Sequence, residues 1–246
     1  MPDALIKKLE HFVHLSSNDK DVLARAAAER VRKLGAHEHI VAEGEKPKAI
    51  NLMLDGWACR YKHLEDGRRQ IVGFFLPGDL CDLNVFILRE IDHSIASIGG
   101  VTVAEITRHA FETILDGHAR IAQALWWDSL VTIAIQREWT VNLGQRDALE
   151  RVAHLFCEIF LRLQAAGLTR GKSCHFPVTQ TELADATGMS TVHVNRTLQE
   201  LRNMRLINLT NRMLTIPDLP RLMRTGLFNP NYLHLEREGA HLDANE

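Results

Sequence analysis

One stretch of the sequence, residues 178–205, constrains the fold most, because it predicts two short helices joined by a glycine turn. Thr179 is followed three residues later by Glu182, the spacing of a capping box, in which each side chain satisfies a backbone N–H at a helix start. This first helix should end at Gly188, since glycine readily takes the left-handed conformation that closes a helix. Ser190 then caps a second helix.

The second helix has one apolar stripe and one polar face. Val194, Leu198 and Leu201 recur at spacings of four and three, which predicts a buried stripe. The opposite face carries hydrogen-bond donors and a cation but no acid before Glu200, and this composition suits phosphate oxygens and base edges. The residues predicted to lie on this outward face are Thr191, Val192, Asn195, Arg196 and Gln199.

A predicted hairpin follows the second helix. Leu206–Leu209 and Met213–Ile216 are short apolar segments, and Asn211 between them can take the positive φ of a tight turn. Helix, turn, helix and hairpin in this order predict a winged helix-turn-helix, which reads DNA with its second helix. The alternative is a pair of packed helices inside an ordinary core. The acid-free outer face of the second helix and the predicted β-hairpin favour double-stranded DNA as the partner.

Charge is distributed unevenly along the 246 residues. The formal net charge of −2 argues against a protein that coats nucleic acid. Between Arg170 and Arg224, however, eight basic residues stand against four acidic ones, a surplus of four positive charges. This surplus fits a surface that contacts the phosphates of a nucleic acid. The simpler alternative is a basic face that is only exposed to solvent.

The sequence carries no signal for a membrane or for a cysteine-based site. No apolar run approaches the ~20 residues that span a bilayer, and the N-terminus lacks an apolar leader, so we expect a cytoplasmic protein. The four cysteines show no C-x-x-C spacing, so neither a disulfide framework nor a cysteine zinc site is indicated. We expect no metal or other cofactor.

From Val31 to Thr107 the sequence changes to short apolar segments separated by turn residues. Glycines at 44, 56, 67 and 78 fall close to one every eleven residues. Short, evenly spaced strands with glycine turns favour an antiparallel β-roll or sandwich, because a parallel sheet needs crossover helices between its strands.

A long helix is predicted from Ala119 to Leu143, where the chain has neither proline nor glycine. Its apolar residues cover much of the circumference, and such a helix must be buried on two sides. We interpret it as packing on the β-domain and on a second copy of itself, with Gly144 as a hinge; a helix buried within a monomer is the alternative. The predicted dimer contacts are Ile121, Leu125, Asp128, Thr132, Ile135 and Trp139.

One short motif offers a competing, metal-binding hypothesis. His37, His39 and Glu43 have H-x-H-x-x-x-E spacing, which resembles the cupin metal motif on a related β-barrel. Alternating strand residues would place both imidazoles on one face, as a metal requires. The second cupin motif is only roughly echoed in PGDLCDLN, and histidine pairs on exposed turns are commonly just solvated.

The order of these parts resembles the Crp/Fnr family of bacterial transcription regulators over nearly the whole chain. The resemblance is carried by EGE at 43–45, PGD at 77–79, RDALERVA at 146–153 and TQTELADATGMSTVHVNRTLQELR at 179–202. It implies a homodimer that regulates transcription from a palindromic operator and is not an enzyme. RNA polymerase is then a further expected partner.

The resemblance also assigns contacts to individual residues. Thr191, Val192 and Arg196 occupy positions where the family's recognition helix meets bases, and Thr179 and Gln180 occupy positions that touch phosphates. Members that read the best-known half-site carry an acid and another polar residue in place of Thr191 and Val192, so the preferred DNA sequence stays open. The predicted DNA-contacting residues are Thr179, Gln180, Ser190, Thr191, Val192, His193, Asn195, Arg196 and Gln199.

Two departures from the family concern the effector. Cyclic-nucleotide-binding members carry Gly-Glu-Leu and Arg-Ser segments, and the matching stretches here read CDLN at 81–84 and His93-Ser94. Oxygen-sensing members carry an N-terminal cysteine cluster, and no cysteine precedes Cys59. FixK-like regulators keep the β-roll without either sensor, so we expect no control by cyclic AMP and leave the small-molecule effector unknown; a cyclic-nucleotide-responsive regulator is the alternative. Cys174 is the cysteine placed to disturb DNA contact if oxidised.

The resemblance and the periodicities together predict an α+β fold. Its parts are an N-terminal antiparallel β-roll like a cyclic-nucleotide-binding domain, a long dimerisation helix and a C-terminal winged helix-turn-helix. The predicted boundaries are 1–117 for the roll and its flanking helices, 118–145 for the dimerisation helix and hinge, 146–220 for the DNA-binding domain and 221–246 for a C-terminal tail.

Overall fold

The computed structural model describes residues 2–83 and 85–236, which form two compact units. Of the described residues, the first unit contains those up to Tyr61, those in Phe74–Ile133 and those from His234 to Glu236. The second unit contains Lys62–Gly73 and Ala134–Leu233. Asn84, and the part of the predicted tail from 237 to 246, lie outside the described residues.

The chain begins with two helices and continues as a β-roll. Ser16 and Asp19 form a capping box at the start of the second helix, with the Asp19 N–H donating to Ser16 Oγ over 3.1 Å. The helices are α1 (Asp3–Leu9) and α2 (Ser17–Glu29), and the strands are β1 (Val31–Leu34), β2 (His39–Val41), β3 (Ala49–Asp55), β4 (Ala58–His63), β5 (Arg69–Phe75), β6 (Leu80–Cys81), β7 (Ser94–Ser97) and β8 (Val101–Thr107).

The strands form two four-stranded sheets, with the orders β1-β8-β3-β6 and β2-β7-β4-β5. The β1–β8, β3–β8 and β4–β7 pairs are antiparallel, as the glycine spacing predicted. Two of the glycines are required by close approaches as well as by positive φ. A Cβ at Gly56 would lie 2.4 Å from Gly100 O, and one at Gly78 would lie 2.8 Å from the carbonyl carbon of Ala4.

Helices follow the roll. Thr107 caps α3 (Arg108–Gly117), and α4 then runs from Ala119 to Gln145. The sequence places an interruption of the helix at Gly144, but α4 continues through this glycine. The helix break falls at residues 146 and 147, where Asp147 and Glu150 form the capping box of the next helix. Among the described residues, no helix is both long enough and apolar enough to cross a membrane.

The rest of the second unit is a winged helix-turn-helix. Its short strands form a single four-stranded sheet of order β11-β12-β10-β9, so the predicted hairpin β11–β12 is extended by two strands that the sequence pattern did not reveal. The elements are α5 (Ala148–Ala165), β9 (Thr169–Arg170), β10 (Ser173–His175), α6 (Gln180–Thr187), α7 (Thr191–Asn203), β11 (Asn208–Thr210), β12 (Met213–Thr215), α8 (Leu219–Thr225) and a 3-10 turn (Pro230–Leu233).

Candidate nucleic-acid interface

Helix α6 begins and ends where its sequence predicted. The Glu182 N–H donates to Thr179 Oγ1 over 3.2 Å, and the Thr179 N–H donates to Glu182 Oε2 over 2.7 Å. Gly188 closes the helix with φ of 65°. Because both ends are held by their own local hydrogen bonds, α6 has little freedom to lengthen or shorten, and α7 starts at a defined place.

Helix α7 presents one buried and one exposed face. Ser190 caps it, with Oγ accepting from the His193 N–H over 3.2 Å, and Val194, Leu198 and Leu201 are fully buried. The nine side chains predicted to contact DNA are all exposed, and Val192, an apolar residue, is 69% exposed. A single exposed valine is ordinary on a protein surface, and on this face its side chain suits contact with an apolar group such as a thymine methyl.

The exposed start of α7 adjoins the start of α6. Asn195 Nδ2 donates to Gln180 Oε1 over 3.1 Å, which joins the two helices on their outer side. A shallow depression of about 380 Å³ is lined there by Gln180, Thr191, Val192, Asn195 and Arg196. The depression therefore collects the predicted base-reading and phosphate-binding residues on one surface, together with the N-terminal ends of two helices, whose dipoles favour anions.

The wing adds a basic tip to this unit. Asn211 and Arg212 both have positive φ, 50° and 58°, as the two central residues of a tight hairpin turn require. The Arg212 carbonyl accepts from the Phe176 N–H over 2.8 Å, and its side chain is exposed. Sequence reasoning placed only Asn211 in this conformation, because arginine carries no special preference for it. Arg212 is therefore a candidate phosphate contact that the residue pattern missed.

The structure corrects the predicted dimer contacts on α4. Ile121, Leu125, Asp128 and Trp139 are buried within one chain, and Thr132 and Ile135 are partly buried. Lys8 Nζ lies 2.6 Å from Asp128 Oδ1, which explains how an acid is buried. The apolar residues of α4 that one chain leaves exposed are Trp126, Leu130, Ile133 and Val141.

These four residues form a single stripe on α4, which we call the α4 stripe. Trp126 is 65% exposed and Ile133 is 50% exposed. The intervals from Trp126 to Leu130 to Ile133 are four and three residues, and Val141 follows two further turns along, so all four lie on one side of the helix. Exposed Arg137 lies between Ile133 and Val141, and a row of exposed apolar residues such as Trp126, Leu130 and Ile133 on one side of a helix is typical of an interaction face.

The stretches that match the family's phosphate clamp contain an internal ion cluster. Asp82 pairs with Arg60, and His93 Nε2 lies 2.9 Å from Asp82 Oδ2 while His93 Nδ1 lies 2.8 Å from Asp92 Oδ1. Burial raises the pKa of Asp82, but the hydrogen bond from His93 and the charge of Arg60 lower it overall. The carboxylate is therefore held ionised beside the guanidinium, where it opposes any second anion.

Arg60 is the cation that sequence reasoning missed, since it named His93 as the nearest match. Arg60 lies on β4, its guanidinium carbon is 4.9 Å from the centre of the Phe75 ring, and its side chain is mostly buried. The residue is 22 positions from Asp82 in the chain. No local spacing signals a pair so distant in sequence, and only the packing of the roll brings it together.

The metal hypothesis for His37, His39 and Glu43 is contradicted. His37 has φ of 61° and so leaves the strand alternation that would align the two imidazoles. His39 Nε2 instead lies 2.7 Å from the hydroxyl of Tyr61. Within residues 2–83 and 85–236, no three His, Cys, Asp or Glu side chains converge as a metal site requires.

The structure disfavours the thiol hypothesis for Cys174. The side chain is 1% exposed on β10, and burial raises its pKa to about 12. Oxidants react with exposed thiolates, and this thiol is neither exposed nor ionised at neutral pH. Its place in the sequence, just before the DNA-binding helices, does not indicate whether its side chain is buried.

Comparison with known proteins agrees with both parts of the structure. Residues 150–225 match the Crp-like helix-turn-helix domain, and residues 31–118 match the cyclic nucleotide-binding domain. The pairing of these two domains defines a class of DNA-binding transcription regulators.

Individual relatives identify the family. The transcriptional activatory protein AadR of Rhodopseudomonas palustris is 30% identical over 203 residues, 82% of this chain and 80% of AadR. The nitrogen fixation regulation protein FixK of Bradyrhizobium diazoefficiens is 28% identical over 188 residues, 75% of this chain and 77% of FixK. The chain therefore belongs to the Crp/Fnr family, and FixK-like proteins are among its relatives.

A solved structure shares the fold. FixK2 from Bradyrhizobium japonicum superposes with a TM-score of 0.71 at 24% identity, over 79% of this chain and 96% of that structure. The predicted α+β fold, with its β-roll, long helix and winged helix-turn-helix, is confirmed.

Proposed function

We propose that this DNA-binding transcription regulator acts as a homodimer on a palindromic operator, with one α7 helix in each half-site. The observation that supports it is the exposed face of α7, where Arg196 and Val192 lie beside the capped start of α6. Two such helices related by a two-fold axis would read two inverted half-sites one helical turn apart. The proposal includes a cytoplasmic location, where this DNA partner would be met, and RNA polymerase as a further partner at the promoter.

The chemistry of α7 divides into base and phosphate contacts. We assign Arg196 to a guanine, whose O6 and N7 accept from both arms of a guanidinium, and Val192 to a thymine methyl group. Thr179 and Gln180, at the positively polarised start of α6, are assigned to phosphate oxygens, which carry no sequence information.

The dimer is assigned to the α4 stripe. Trp126, Leu130, Ile133 and Val141 are exposed in one chain, and a second α4 helix against them would remove this apolar surface from water. This face replaces the set first predicted from sequence, since four members of that set are already buried within the protomer.

Selection of bound sequences from random DNA tests the whole proposal. We expect an enriched palindrome with half-site centres about 10 base pairs apart, and parallel selections with and without a metabolite extract show whether binding needs an effector. Selection with the Arg196→Ala variant is the matched control, and it should lose the preference at one base pair of each half-site. An enriched motif without two-fold symmetry would contradict the dimeric mode of binding, and no enrichment would contradict sequence-specific binding.

Cyclic AMP and cyclic GMP should not switch this regulator. A buried cyclic phosphate needs a charge-assisted partner, and the guanidinium of Arg60 is already paired with Asp82. Calorimetric titration of the purified protein with each nucleotide at neutral pH should give no binding in the low micromolar range. In the Asp82→Asn variant, where Arg60 loses its carboxylate, any weak binding should become stronger. Low micromolar binding by the unaltered protein, together with tighter DNA binding, would contradict this expectation.

A further inference from the structure

Arg151, in the first turns of α5, gathers the ends of two other helices. Its Nε donates to Asn142 O over 3.0 Å, and its Nη2 donates to Leu143 O over 3.1 Å and to Arg146 O over 2.9 Å. Its Nη1 donates to Thr187 O over 2.7 Å. One guanidinium therefore bonds four backbone carbonyls, three at the end of α4 and one at the end of α6.

Backbone carbonyls at the ends of helices require a hydrogen-bond donor from outside the helix. The last four backbone carbonyls at the end of a helix receive no hydrogen bond from an N–H of that helix. The carbonyls of Leu143 and Arg146 at the end of α4 and of Thr187 at the end of α6 are all of this kind. Helix C-termini also carry partial negative charge, so a cation between two of them is stabilised by both dipoles. The contact is reciprocal, since Asn142 Nδ2 donates to Arg151 O over 3.2 Å.

The hydrogen bond from Arg151 to Thr187 O lies next to the turn that leads into α7, the helix proposed to contact bases. Thr187 is the last residue of α6, directly before Gly188, whose left-handed conformation starts the turn into α7. Its side chain is buried and Oγ1 donates to Leu183 O over 2.6 Å, so this end of α6 is held by packing and by a local hydrogen bond. A bond from Arg151 to the Thr187 carbonyl therefore fixes the turn before α7 relative to the end of α4.

We propose that Arg151 is a positioning residue that sets the separation and angle of the two recognition helices in the dimer. It does so without touching DNA, because its hydrogen bonds are directed at carbonyls within the protein. The α4 helices define the two-fold axis in the proposed dimer, and α7 is held at a set distance from the end of α4. The inference rests on the proposed homodimer and palindromic operator.

The test compares operators that differ only in the spacer between half-sites. Adding or removing one base pair moves one half-site by roughly 3.4 Å and turns it about the DNA axis. The unaltered protein should strongly prefer one spacer. Arg151→Met removes all four bonds, and we expect the preference for the cognate spacer over its neighbours to fall by about tenfold or more, which corresponds to about 1.4 kcal/mol. Base preference within each half-site should stay the same.

Two further variants separate positioning from stability. Arg151→Lys keeps a positive charge between the helix ends but not the planar fork, so it should fold and lose part of the spacer preference. Ile159→Val, in the buried part of the same helix, should lower the melting temperature and leave the spacer preference unchanged. The control shows whether a general loss of stability can change spacer preference.

The outcomes are distinct. If Arg151→Lys, or Arg151→Met where it folds, discriminates between spacers as the unaltered protein does, Arg151 is not a positioning residue. If Ile159→Val loses the preference to the same extent, the effect is one of stability and the inference is overturned. If the unaltered protein binds DNA without any spacer preference, the dimeric mode of binding fails first, and the inference fails with it.

Discussion

The Ile133→Asp variant should be a monomer that has lost most of its affinity for the operator. Ile133 lies in the middle of the α4 stripe and is half exposed in one chain. An aspartate there would place a charge in an apolar seam, and the assembly can avoid that cost only by separating. A monomer binds only one half-site. It therefore loses the gain in affinity that a dimer obtains by binding two linked half-sites, a factor of roughly 10² to 10⁴.

Sedimentation and DNA titration of the same preparations measure both effects. Ile87→Asp is the matched control, because Ile87 is 85% exposed and lies outside α4. It should stay dimeric and bind the operator normally. A dimeric Ile133→Asp protein at micromolar concentration would contradict the assignment of the stripe, and a monomeric unaltered protein would contradict the dimer itself.

The position of the substitution decides what this experiment measures. Leu125 is predicted from sequence as a dimer contact, but it is 3% exposed inside the protomer. An aspartate at Leu125 would bury an unpaired charge in the core of one chain, and the expected result is loss of folding rather than separation of two chains.

The Arg196→Ala variant should lose about 1–3 kcal/mol of binding free energy at the selected operator and much less on random DNA. Arg196 is an exposed cation on α7, at the edge of the depression shared with Val192 and Asn195. A guanine contact depends on the base, so its loss should be confined to DNA that carries that base. Fluorescence anisotropy with both DNAs at several salt concentrations measures the difference.

Gln180→Ala is the control for a phosphate contact. Gln180 is exposed at the start of α6 and should affect both DNAs to a similar extent, because phosphates are the same in every sequence. Equal losses on the two DNAs for Arg196→Ala would mean that Arg196 contacts phosphate only. The half-site would then have to be read mainly by Thr191, Val192 and Asn195.

The sequence alone predicted the helix-turn-helix almost residue by residue. The capping box of Thr179 and Glu182, the left-handed Gly188 and the cap at Ser190 all act within three or four residues. Interactions of that range depend on the local chain, so their spacing can be read directly. The period of Val194, Leu198 and Leu201 likewise predicted which face of α7 is buried.

The tertiary structure decided which faces of α4 are available. Trp126 and Trp139 lie on the same helix and have the same hydrophobicity, but Trp126 is exposed and Trp139 is buried, with its Nε1 donating to Glu158 over 3.2 Å. A helix that is apolar around most of its circumference carries no period that separates one buried side from the other. Only the positions of the neighbouring elements make that choice.

Long-range polar contacts could not be predicted from the sequence, for a related reason. Arg60 reaches Asp82 from another strand, and Arg151 reaches Thr187 from another helix, across 22 and 36 positions of the chain. A guanidinium on a long, flexible side chain can serve solvent, a phosphate or a carbonyl equally well. Which of these it meets depends on where packing places the two backbones, and neither residue type nor spacing specifies that.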